Sequence, residues 1–115
     1  MATSERSIKC GDVIVVPFPY SDQMAEKRRP ALVVSSDKFN ARGTFLWVVM
    51  ITSKAQKPHP DDIVLDHASA GLSKPSVARV AKIATIEYER VVRVAGKIDG
   101  KTRKKVRANL AGILD

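Results

Sequence analysis

Phe45 to Ile51 is an unbroken run of apolar residues, FLWVVMI, and it limits the fold more than any other stretch of the chain. It is far too short to span a membrane, which takes about 20 residues in a helix. Its β-branched and aromatic content, with no polar alternation, predicts a strand over Phe45 to Thr52 that is covered on both faces at the centre of a sheet.

Shorter runs of the same kind surround it. Val13 to Phe18 is opened by Gly11-Asp12 and closed by Pro17 to Tyr20, and reads as a strand. Pro30 to Ser36 reads as a second, its proline at the first position, where a missing ladder donor matters least. Asp62 to Asp66 alternates weakly, as a short strand does. Ser76 to Ile83 alternates more clearly, with Val77, Arg79, Ala81 and Ile83 on one face and Ala78, Val80 and Lys82 on the other. Val91 to Ile98 reads as the last strand. Ser21 to Arg29, Asp37 to Gly43, Lys54 to Pro60 and Ala68 to Pro75 are polar or rich in Gly and Pro, and read as loops and turns. Thr85 to Arg90 is expected to form one helical turn.

At Asp99 the period changes. Val106, Leu110, Ile113 and Leu114 stand at i, i+4, i+7 and i+8, one face of a helix running to Leu114 that Asp99 or Thr102 would cap. Five or six short strands followed by a helix predict a mainly β fold with a terminal helix, a small and strongly bent barrel with the helix packed on one side. At 115 residues the chain fits one domain over 1–115, with residues 1–9 as a frayed lead-in. A core this small leaves apolar surface that a second copy would cover. Trp47, in mid-strand, is expected in the core or at such an interface.

The formal net charge is +8, from 20 Lys and Arg against 12 Asp and Glu. That excess points to an anionic partner: nucleic acid, an acidic membrane surface or an acidic protein. The single cysteine, Cys10, allows no internal disulfide and reads as a packing residue. No Cys/His cluster has zinc-ligand spacing, so no metal or other cofactor is expected. The polar, charged stretch Met1 to Lys9 lacks the apolar core of a signal peptide, which suggests a cytoplasmic protein with no membrane partner.

Three segments stand out together. Gly11-Asp12 opens a strand that leads through a polar loop to Arg28-Arg29-Pro30; Ile51-Thr52-Ser53 runs from an apolar strand into a basic loop; and Ser76 to Ile83 is followed by Thr85-Ile86-Glu87. In this order, with a Gly-containing last strand and a terminal helix, the pattern resembles the MazF/PemK toxin family of type II toxin–antitoxin systems, from Gly11 to about Leu114. The resemblance implies an SH3-like barrel of the CcdB/MazF kind with a C-terminal helix. It also implies a homodimer that cleaves single-stranded RNA without a metal, inhibits growth and is neutralised by a cognate antitoxin.

Metal-free RNA cleavage uses the ribose 2′-OH as nucleophile. One group must take its proton, another must meet the charge that builds on phosphorus, and a third must protonate the leaving 5′-oxygen. Arg29 matches the family's arginine before proline, and its planar fork suits two phosphate oxygens. Thr52 matches the family's threonine at the end of the third strand, with a hydroxyl able to hold a phosphate oxygen for in-line attack. Ser53 would share that contact, and Arg28, Lys54 and Lys57 would take flanking phosphates. Tyr20 is the aromatic placed for base stacking.

The pattern departs from the family in two places. Met24 falls where some relatives carry a loop glutamate, leaving Glu26 and Asp22 as candidate general bases. Lys82 stands where relatives often have glutamine, and is read as an RNA contact. The histidines, His59 and His67, read as loop residues rather than an acid–base pair. The basic run Lys97, Lys101, Arg103, Lys104, Lys105 and Arg107 reads equally as a solvated face or as a contact for RNA or antitoxin. Two other functions fit the same fold: a gyrase poison of the CcdB type, and a nucleic-acid-binding barrel without activity.

Overall fold

The computed structural model describes residues 7–18 and 27–115. Six strands, β1 (Asp12–Phe18), β2 (Lys27–Val33), β3 (Phe45–Ser53), β4 (Ile63–Val64), β5 (Ser76–Glu87) and β6 (Arg93–Lys97), form one antiparallel sheet in the order β4-β5-β3-β2-β1-β6. A one-turn helix, α1 (Asp37–Asn40), follows β2, a 3-10 turn (Tyr88–Arg90) follows β5, and the helix α2 (Gly100–Leu114) ends the chain. The sheet curls into a half-barrel. Its β6 edge meets the 66–72 segment, where the Lys97 N–H donates to the Ser69 carbonyl at 3.3 Å.

The curl gives two cores, one on each face. Ile14, Val16, Ala31, Val33, Leu46, Val48 and Met50 fill one side with Tyr88 and Val91. Val13, Leu32, Val49 and Ile51 point the other way, with Ala78 and Val80, and are covered by Leu65, Ala70 and Val106 of α2. Successive side chains of a strand point to opposite faces. The continuous apolar runs Val13 to Val16 and Val48 to Ile51 are therefore what a sheet buried on both sides requires, and β3 does lie inside it, between β5 and β2.

Several expectations need correction. β2 begins at Lys27, not Pro30, and Pro30 sits mid-strand opposite Val15. Its missing donor is tolerated because pairing with β3 starts only at Ala31. β5 runs through to Glu87, so Thr85 to Glu87 is strand and only Tyr88–Arg90 is helical. The cause is a bulge. Val49 pairs with Ile83 but Met50 pairs with Arg79, leaving Val80, Ala81 and Lys82 without partners in β3. The bulge also breaks the expected alternation: Ile83 falls opposite Val49, on the face of Ala78 and Val80 rather than that of Val77 and Arg79.

Asp99 is the helix N-cap, its carboxylate accepting the Thr102 N–H at 2.7 Å. Val106 and Leu110 pack on the sheet as the period requires, but Ile113 and Leu114, expected on the same face, are exposed. Trp47 is exposed as well. It shares a face of β3 and β5 with exposed Phe45 and Ile83, and its ring lies 6.3 Å from that of Phe39. Of the two places expected for it, the core of the single chain is thus excluded.

Candidate nucleic-acid interface

β2 and β3 are antiparallel, so the start of one lies beside the end of the other. Their ladder stops at Ala31 and Met50. Beyond that point Pro30 has no N–H to offer, and β3 turns away to pair Thr52 with Val77 and Ser53 with Ser76. The two strands splay and leave a cleft of about 350 Å³, lined by Lys27 to Pro30 on one side and Ile51 to Ser53 on the other, with Gln56, Lys74 and Ser76. Arg28, Arg29, Thr52 and Ser53 therefore come together in one cleft. The arginines project from a strand, where a loop was expected.

Local hydrogen bonds hold the far wall. The Lys54 N–H donates to the Pro75 carbonyl at 3.0 Å, tying the end of β3 to the approach to β5. Ser53 Oγ accepts the Ala55 N–H at 3.2 Å, and the Ser53 carbonyl accepts the Gln56 N–H at 3.0 Å, which makes the turn that presents Gln56. The next loop is fastened by Arg79, whose guanidinium donates to both carboxylate oxygens of Asp62, at 3.2 and 3.0 Å, and to the Lys57 carbonyl at 2.7 Å. Burial by itself would raise the Asp62 carboxyl. The Arg79 hydrogen bonds, the His59 N–H and the charges of Arg79 and His59 outweigh it and hold the group below the usual carboxylate range.

A second cleft, of about 450 Å³, opens on the other side of the same arginines. Val15, Arg28, Arg29 and Pro30 face the segment 71–74, Ser76, Arg93 and Ala95 across it. Two glycines allow that segment to sit so close to β6. Gly71 has a φ of +74°, and a Cβ there would stand 2.0 Å from the Ala95 carbonyl oxygen; a Cβ on Gly96 would stand 2.5 Å from the Ala70 carbonyl carbon. Lys27, Gln56, Lys74, Ser76 and Arg93 were not singled out in the sequence. The Gly in the last strand was the one signal of a close approach there.

The charge of this surface is one-sided. Lys27, Arg28, Arg29, Lys74 and Arg93 line the two clefts, and neither has a carboxylate in its described lining. None of these cations forms an ion pair among the described residues. Cations gathered in a concave surface focus a positive field on whatever enters. Lys54 and Lys57 are exposed on the loop beyond the first cleft and line neither one. Lys82 lies in the β5 bulge and lines neither. Tyr20, Asp22 and Glu26 lie outside the described residues. His59 is on the exposed loop, where its Nδ1 accepts the Asp61 N–H at 3.3 Å. Among the described residues no group of three or more His, Cys, Asp or Glu side chains could hold a metal ion. No described helix is long and apolar enough to cross a membrane.

A family model described as PemK-like, MazF-like toxin of type II toxin–antitoxin system matches residues 9–114. The chain is 34% identical over 85 residues to endoribonuclease MazF9 of Mycobacterium tuberculosis, covering 70% of this chain and 72% of that protein. In structure it resembles M. tuberculosis toxin MazF-mt6 with a TM-score of 0.75 at 18% identity, over 90% of this chain and 96% of that one. It also resembles a mycobacterial endoribonuclease in complex with its cognate antitoxin, with a TM-score of 0.73 at 19% identity, over 95% and 94% of the two chains. The sheet order, the terminal helix and the match over nearly the whole sequence agree: the chain belongs to the PemK-like, MazF-like toxin family of type II toxin–antitoxin systems.

Proposed function

We propose that this chain is an endoribonuclease toxin that cleaves single-stranded RNA in the cleft between β2 and β3, with Arg29 and Thr52 at its centre. The observation that carries the reading is their meeting, from separate strands, in a basic cleft of a protein whose relatives are named endoribonucleases. The same kinship favours RNA cleavage over the gyrase-poison alternative.

In this reaction the 2′-OH attacks the adjacent phosphorus. The bond to the 5′-oxygen of the next nucleotide breaks, leaving a 2′,3′-cyclic phosphate and a free 5′-OH. Arg29 meets the charge that grows on the non-bridging oxygens, where its fork makes two parallel hydrogen bonds. Thr52, fixed by its place in the β3–β5 ladder, donates its hydroxyl to one of those oxygens and orients the phosphate for in-line attack. Arg28, beside Arg29 on β2, takes a flanking phosphate, and Ser53 shapes the turn below. The proton acceptor is assigned to Asp22 or Glu26 of the first loop, and the leaving 5′-oxygen takes its proton from solvent water. The reaction asks no metal of the protein.

The active form is a homodimer joined through the exposed apolar face of Phe45, Trp47 and Ile83. An acidic antitoxin segment silences it by covering the basic clefts. The cytoplasm, where a lone thiol such as Cys10 stays reduced, is its compartment.

The test is cleavage of single-stranded RNA by the purified chain in excess EDTA. Wild type should leave cyclic phosphate ends, and Arg29→Ala should lose on the order of 100- to 1000-fold in rate while remaining folded. Arg29→Lys should recover part of it, since an ammonium keeps the charge but not the fork. Activity that EDTA abolishes and magnesium restores would overturn the mechanism. An intact substrate under all conditions would leave a binding barrel.

A further inference from the structure

The geometry points to a second phosphate-binding site in the cleft between the 71–74 segment and β6. There Arg93 and Lys74 hold the RNA strand on one side of the bond being cut. This rests on the ribonuclease reading above and adds to it a track for the substrate beyond the reacting phosphate.

The two clefts are continuous. Arg28, Arg29, Pro30, Lys74 and Ser76 line both, so a strand leaving Thr52 and Arg29 passes directly into the second. Register places Arg93 on this path. Arg93 pairs with Val15, and Val15 pairs with Pro30, so the three residues form one row across β6, β1 and β2. Neighbouring strands lie about 4.8 Å apart, which sets Arg93 about 10 Å from Pro30 along that row. That span suits a further phosphate along a strand better than a shared grip on one. Lys74 closes the path from the opposite wall, where the Gly71–Ala95 and Gly96–Ala70 backbone approaches hold its segment against β6.

The lining also indicates what is read. Its described lining offers Arg93, Lys74 and the hydroxyl of Ser73, and among those residues no aromatic ring on which a base could stack. Such a surface grips the sugar–phosphate chain and is indifferent to sequence. The lining shared with the reacting centre makes an RNA strand the occupant of this cleft during cleavage.

The experiment measures binding, by fluorescence anisotropy, of labelled 2′-O-methyl RNAs that cannot be cut. One is long enough to fill both clefts and the other is a dinucleotide that fills the first alone. For the long RNA, Arg93→Ala and Lys74→Ala should each weaken binding several-fold, whatever the base sequence. Each should reduce the slope of log affinity against log salt by about 0.7, the contribution of one contact to a single strand. Arg93→Ala should leave dinucleotide binding near the wild-type value, and Lys38→Ala, on α1, should leave both unchanged.

Unaltered affinity and slope for the long RNA in both cleft variants, with cleavage by wild type intact, would overturn the track alone. So would variants that lose binding to polyglutamate but keep RNA, which would give the cleft to an acidic polypeptide. A wild-type chain that neither binds nor cuts RNA would overturn the ribonuclease reading as well.

Discussion

Replacing Gly96 with alanine adds one methyl group where β6 touches the 69–71 backbone. The new Cβ would stand 2.5 Å from the Ala70 carbonyl carbon, 2.6 Å from the Ser69 oxygen and 2.7 Å from the Ala70 oxygen. All three are main-chain atoms, so no side chain can swing aside. Gly96 is not among the glycines with positive φ, and the penalty is therefore steric rather than torsional. Ordinary contact begins near 3.4 Å, so the segment must recede by about 0.9 Å, the difference between 3.4 and 2.5 Å. The Lys97–Ser69 hydrogen bond, already 3.3 Å long, would part, at a cost of about 1 kcal/mol. Ala70, fully buried, and Leu72 would be pulled from the core beneath α2, and forced shifts of that kind cost about 1–3 kcal/mol. The sum is about 2–4 kcal/mol, or a Tm lower by about 8–16 °C at about 4 °C per kcal/mol for a domain of this size. Scanning calorimetry and urea unfolding measure it. Gly100→Ala, where an added Cβ meets nothing within 4 Å, is the control. A Gly96→Ala protein that melts within about 2 °C of wild type would refute the claim that this contact is rigid.

Two further outcomes can be checked. Asp62 titrates below its unfolded value because Arg79 and the His59 N–H hold its charged form. The stability it contributes is thus complete above about pH 4 and is lost as the pH falls through the lowered value. Asp62→Asn should be less stable than wild type at pH 7, with the gap closing below pH 4 in urea titrations; a gap that stays constant with pH would contradict the assignment. Sedimentation equilibrium should give wild type a mass of about 25 kDa, twice the 12.6 kDa chain. Trp47→Glu should approach the single-chain mass, and an unchanged dimer would move the interface elsewhere.

What the sequence revealed, and what it hid, follows from how each feature is stabilised. The buried runs of β1 and β3 and the start of α2 were legible because their own side chains do the packing, and Asp99 caps its helix through a contact three residues away. Lys27-Arg28-Arg29 carries no strand signal. It is extended only because Phe18, Pro17 and Val16 pair with it, and such pairing leaves no local trace. The β5 bulge shifted the alternation midway, so a pattern read as one phase was two. At the proposed site, Arg29 and Thr52 stand out through their motif neighbours, and the fold brings them into one cleft. Lys74 and Arg93 lie in unremarkable stretches and come together only through a glycine contact between distant segments.

The presence of a core on each face of one sheet bears on how the protein comes apart. β3 sends Leu46, Val48 and Met50 to one side and Val49 and Ile51 to the other, and β1 and β2 divide their side chains in the same way, so both cores share the same three strands. Neither can be lost while the other stays dry, since freeing β3 exposes both at once. The chain is therefore expected to unfold as one cooperative unit. Opening without global unfolding is left to parts that hang on one side only, such as the last turn of α2, where Ile113 and Leu114 already face water. The proposed catalytic cleft stands at the end of β3, where Thr52 follows directly on buried Ile51, so its geometry rests on a strand that both cores hold.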